Sequence, residues 1–153
     1  MTTIILTIIG ILLAAAAALM VIFYGGDAFN SGSIGAQANT LQNAGTNIES
    51  AATLYKVENA TAPASVGDLT AVGADGESYL KEPPALTGIG TAGADFDPAG
   101  DGSVYAFTVT GVSEEVCAKV NENVLGVGYT APAAVGDTKM GCVESSQTFF
   151  ASL

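Results

Sequence analysis

The sequence predicts an α+β protein in which a long N-terminal hydrophobic and then amphipathic α-helix packs on a small antiparallel β-sheet head. Three observations carry this. The first 24 residues, MTTIILTIIGILLAAAAALMVIFY, hold no charge, no proline and one glycine. From Ile34 to Tyr55 apolar residues recur at helical spacing. Further on, Val104-Tyr-Ala-Phe-Thr-Val-Thr110 alternates and is built from β-branched and aromatic residues, the pattern of a half-buried strand.

Segment 1–24 reads as a hydrophobic helix. A run of 18 or more such residues is long enough to span a bilayer, and Ile4 to Tyr24 rises roughly 32 Å at 1.5 Å per residue. A secretory signal would need a basic leader and a shorter apolar core, whereas no Lys or Arg precedes Lys56. Such a rod is either a membrane anchor or the core of a filament. Residues 25–33 read as a flexible Gly/Ser joint: Gly25 and Gly26 each weaken a helix by on the order of 1 kcal/mol relative to alanine.

Segment 34–58 is the amphipathic half. Ile34, Ala38, Leu41, Gly45, Ile48, Ala52 and Tyr55 form one stripe. Opposite lie Asn39, Gln42, Asn43, Asn47, Ser50 and Thr53, which are polar but uncharged. That face suits a crowded protein environment as well as it suits water. The helix is expected to end near Val57, with Asn59 and Pro63 stopping it.

Segment 59–103 is a loop-rich αβ connection. Ala62–Leu69 predicts a turn into a short helix, Pro83-Pro84 forces extended backbone, and GIGTAGADFDPAGDG is loop. Segment 104–153 holds the sheet and the two cysteines. Ser113 caps a short helix from Glu114 to about Val124, with Glu114 and Glu115 in the favourable first turn. Further strands are expected near 126–130 and 139–144, and from Gln147 to Leu153.

Composition narrows the function. Fifteen acids face four lysines, with neither arginine nor histidine, for a net charge of −11. No basic patch for direct nucleic-acid binding can be assembled from four lysines. Without histidine there is no Ser-His or Cys-His nucleophile and no imidazole metal ligand. No enzyme activity and no cofactor are expected, and the acids read as a solubility device around a sticky rod. In an extracytoplasmic domain the state expected for Cys117 and Cys142 is a disulfide, worth roughly 3.5 kcal/mol in the chain-entropy model; two separate buried thiols are the alternative. Asp95, Asp97 and Asp101 are spaced closely enough for a hard cation but lack the EF-hand order, and ordinary turn chemistry explains them. Asn59-Ala60-Thr61 matches a glycosylation sequon.

These residues together resemble a type IV pilin over essentially the whole chain. The apolar start with Gly10 and Phe23-Tyr24 is similar to the mature N-terminus of that family. Pro63-Ala-Ser-Val66-Gly-Asp68-Leu69, followed by Tyr79-Leu80-Lys81-Glu82-Pro83, resembles the segment after its first helix. Ser113–Cys117 and Met140-Gly-Cys142 before Thr148–Ser152 are similar to the disulfide-bounded region of type IVb members. The chain departs from the pattern at Ile5, where pilins usually carry a glutamate, and it lacks the helix-breaking proline of the type IVa rod.

The resemblance implies a structural subunit of an extracellular pilus, stored in the inner membrane before assembly into a helical homopolymer. Ile4, Ile5, Ile8, Ile9, Leu12, Leu13, Ala16, Leu19, Met20, Phe23 and Tyr24 would form the assembly core. Met1 would be the processed and methylated N-terminus left by a prepilin peptidase, and an inner-membrane assembly platform would be a partner. Two alternatives stay open: a minor pilin or pseudopilin, and a single-pass membrane-anchored binding domain.

Overall fold

Helix α1 runs from Thr2 to Asn59 in a computed structural model that describes residues 2–73, 76–97 and 104–153. Its backbone stays helical through 25–33, so Gly25 and Gly26 lower the helix's stability without interrupting it. Ala60, at φ 55°, takes the left-handed conformation that closes a helix end, so α1 ends at Asn59, two residues beyond the Val57 expected from sequence. The chain divides into two compact units, Met1–Gly35 and Ala36–Leu153.

The first unit is the apolar half of α1. In the second, Ala38, Leu41, Gly45, Ile48 and Ala52 of the stripe read from the sequence are buried and Tyr55 is half-buried, while Ala44 and Ala51, outside that stripe, widen the buried face. It lies on a four-stranded antiparallel sheet made of β1 (Thr91–Ala92), β2 (Ala106–Thr110), β3 (Met140–Val143) and β4 (Thr148–Ser152), in the order β1-β2-β4-β3. The register sets Phe107, Ala151 and Met140 in one row and Val109, Phe149 and Cys142 in the next. Gly45 is where helix and sheet come closest. A Cβ at that position would stand 3.0 Å from Ala151 Cβ, 3.0 Å from Met140 Cε and 3.2 Å from Phe149 Cζ. On the other face of the sheet Ala106, Val143 and Phe150 pack under Val104 and Val135.

Two short helices complete the second unit. Helix α2 (Val66–Thr70) starts on a capping box. Ser65 accepts from the Asp68 N–H, and the Asp68 carboxylate accepts from the N–H groups of Ser65 and Ala64. Helix α3 (Glu114–Leu125) starts on the expected cap, Ser113, which accepts from the Val116 N–H. It buries Val116, Cys117, Val120 and Asn121 beside β3.

Two expectations are corrected. No strand forms at 126–130, because Gly126 and Gly128 sit at φ 93° and 80°, backbone that cannot continue a pleat. They make a turn that leaves Val127 93% exposed. Within the Gly-rich segment expected to be all loop, Thr91 and Ala92 pair with Thr110 and Val109 as β1. That pairing relies on small residues, since a side chain on Gly90 or Gly93 would collide with β2 within 2.8 Å.

Candidate functional site

Among the described residues, the expected assembly core is an uncovered surface. Thr3–Ile22 is long and apolar enough to cross a membrane, and none of it is buried. At 1.5 Å per residue it rises roughly 30 Å, the thickness of a bilayer's hydrocarbon core. Among the expected core residues Ile4, Ile5, Ile8, Ile9, Leu12, Leu13, Ala16, Leu19 and Met20 are exposed. The side chains of Phe23 and Tyr24 lie outside the described residues, as does Met1. The only polar side chains along the span are Thr3 and Thr7, and Thr7 returns its hydroxyl to the Thr3 carbonyl at 2.8 Å.

The second candidate feature is the disulfide-bounded region. Cys117 on α3 and Cys142 on β3 are both buried and form the disulfide read from composition, with Cα atoms 5.2 Å apart. Beside it lies a residue that the sequence reading missed, Asn121. Its Oδ1 accepts from the Cys142 N–H at 2.8 Å, and its Nδ2 donates to the Cys142 carbonyl at 2.9 Å and to Glu144 at 3.2 Å. Tyr129 donates to the same Glu144 oxygen at 2.7 Å, which raises the phenol above its ordinary pKa. The available signal was spacing, since Asn121 follows Cys117 by one helical turn on the stripe of Val116 and Val120. A lone asparagine on an apolar stripe is a buried amide in need of partners.

The α1 end of the second unit is fastened by aromatic contacts. Tyr105 donates to the Pro63 carbonyl, packs edge-on against Phe96 and carries Lys56 Nζ 4.7 Å above its ring. Burial, with Asp68 and Tyr55 nearby, pushes the Tyr105 phenol up to about 12. Tyr79 packs edge-on against Tyr55 and accepts from Asn59, while Glu58 raises its pKa. This places the sequon asparagine at an exposed helix end with its amide already engaged.

Compared with protein-family models, curated proteins and solved structures, the chain matches none. The functional reading therefore stands on its own residues. Its apolar N-terminal helix, small antiparallel sheet and disulfide are compatible with a pilin-like fold. Among the described residues no group of three or more acids and cysteines is placed to hold a metal. Asp101 of the aspartate cluster falls outside them.

Proposed function

We propose that this chain is a structural subunit of an extracellular, type IV pilus-like filament. The rod would hold the subunit in the inner membrane before assembly and then be buried among rods of other copies, with the acidic heads outside. The reading calls for no catalytic group and no cofactor. Its partners are further copies of the chain and an inner-membrane assembly platform.

The observation that carries it is the uncovered rod. Twelve large apolar side chains from Ile4 to Ile22 are 50–72% exposed. Fully burying each contributes about 1.5–3 kcal/mol, so covering what remains open yields on the order of 15 kcal/mol. That matches or exceeds the roughly 4–15 kcal/mol cost of association, so the rod is covered in any stable state, by lipid or by protein. Gly10 and the Ala14–Ala18 run favour close helix approach, which supports protein as the final cover.

Electron microscopy of sheared surface material, paired with the intact mass of the subunit, tests the proposal. Thin uniform filaments composed of this chain, with a mass lower by two hydrogens for the disulfide, are expected. Membrane-bound monomers alone would overturn the filament reading. Ile5, where a carboxylate would otherwise guide docking, would then favour the minor-pilin or anchored-domain alternative.

A further inference from the structure

We propose that Asn121 is a positioning residue for the oxidation of Cys117 and Cys142: its amide docks α3 on β3 in the dithiol chain, before the sulfurs are joined. The inference concerns how the head closes and does not depend on the filament reading.

The amide accepts from the N–H of Cys142 at 2.8 Å and donates to the Cys142 carbonyl at 2.9 Å. The residue that α3 grips is thus the one that bears a sulfur. Asn121 follows Cys117 by four residues in α3, one turn on along the same face. Fixing the amide therefore fixes Cys117 beside Cys142, with Cα atoms 5.2 Å apart, inside the roughly 4.4–6.8 Å span that a disulfide bridges. None of these bonds involves a sulfur. The amide is fully buried, and its Nδ2 also donates to Glu144 at 3.2 Å, where the same carboxylate oxygen accepts from Tyr129 at 2.7 Å.

The other buried side chains of α3 are Val116, Val120 and Cys117 itself. Apolar burial is non-directional, so it holds a helix near a sheet without setting its rotation or register. A two-point amide contact sets both, because hydrogen bonds weaken steeply once bent.

Both sulfurs are buried in the finished head, which divides the reaction in two. A disulfide oxidant, here glutathione disulfide, meets one cysteine while the head is open. That thiolate attacks, one glutathione thiolate leaves, and the protein sulfur is held in a mixed disulfide. The second cysteine gives up its proton and attacks that sulfur, releasing the second glutathione. In sum the two protein thiols lose two protons and two electrons, and glutathione disulfide takes them up to become two glutathione molecules. Only the second step needs the cysteines aligned. There the Asn121 contact raises their effective concentration above that of a flexible loop spanning a separation of 25 residues.

Equilibrating the full-length chain in detergent with glutathione buffers tests this. Alkylation quenching and intact mass give the effective concentration of the two thiols, in native buffer and in concentrated urea. Asn121→Ala is expected to lower the native value about tenfold and to leave the urea value unchanged. Tyr105→Phe, which loses the hydroxyl bond to Pro63 outside the α3–β3 contact, is expected to change neither. A loss of stability alone weakens the oxidised and reduced folds equally and leaves the native value where it was. A native value for Asn121→Ala within about twofold of wild type would overturn the proposal, as would an equal fall in Tyr105→Phe. Circular dichroism of the reduced wild-type chain is expected to show a folded head, and an unfolded one would also overturn it. If reduced Asn121→Ala has unfolded, Glu144→Ala decides, because it removes only the brace on the amide. A fall of about threefold, restored by Glu144→Gln, is expected; no fall, or one that Glu144→Gln does not restore, would overturn the positioning role.

Discussion

Replacing Gly45 with alanine sets two opposing effects against each other at one atom. Glycine in a helix interior is about 1 kcal/mol less favourable than alanine, so propensity alone predicts a stabilised helix. At Gly45, however, the new methyl meets Ala151 Cβ and Met140 Cε at 3.0 Å and Phe149 Cζ at 3.2 Å. Met140 Cε is the end of a flexible side chain and can move. Ala151 cannot, because β4 is bonded to β2 on one side and β3 on the other. The helix must therefore lift from the sheet, and overpacking of this kind costs about 1–3 kcal/mol. The collision outweighs the propensity gain, and Gly45→Ala is expected to destabilise by about 1 kcal/mol, lowering Tm by about 4 °C. Gly35→Ala is the matched control: it is helical with nothing within 4 Å of the added atom, so it is expected to be neutral or stabilising by up to about 1 kcal/mol. Circular dichroism melts of the full chain in detergent read both. If Gly45→Ala raised Tm as Gly35→Ala does, the close approach of helix and sheet would be refuted.

Four other perturbations address the rod, the disulfide and the polar contacts. Ala16→Arg is expected to abolish filaments while leaving the head folded, because a buried unpaired charge costs several kcal/mol; wild-type filament yield by microscopy would refute the buried rod. Cys117→Ser with Cys142→Ser is expected to lower stability by roughly 3.5 kcal/mol, read as a lower denaturant midpoint, and an unchanged midpoint would refute its stabilising role. Asn121→Ala strips the Cys142 N–H and C=O and the Glu144 carboxylate of a partner and is expected to cost about 2–4 kcal/mol by the same measure. Tyr105, whose phenol is raised to about 12 from an ordinary 10, stabilises the fold fully below pH 10. Because the unfolded chain ionises first, that contribution is lost as pH climbs through 12; Tyr105→Phe is expected to flatten the decline in Tm over that window.

The elements that the sequence revealed are those encoded by local periodicity. The α1 stripe, the Ser113 cap, and the strands at Ala106–Thr110, Met140–Val143 and Thr148–Ser152 each need only their own neighbours to be legible. What stayed hidden depends on distant partners or on backbone sign. Thr91–Ala92 becomes a strand only because β2 offers an open side and Gly90 and Gly93 let the chain come near. The apolar alternation of 126–130 reads as a strand until two positive-φ glycines fold it into a turn. Likewise the exposed rod and the disulfide were legible from composition. The role of Asn121 was not, since its main partner lies 21 residues further along the chain.

That asparagine has a consequence for how such molecules behave when packed together. β3 is one of the two outer strands of the sheet, and an outer strand with free N–H and C=O groups is a template on which another chain can add. At Cys142 both groups are taken by one side-chain amide, which acts as a one-residue substitute for a fifth strand. The disulfide at the same residue ties in the helix that delivers it. Capping Cys142 in this way blocks strand addition at that point of the β3 edge, where an incoming chain would find neither a donor nor an acceptor.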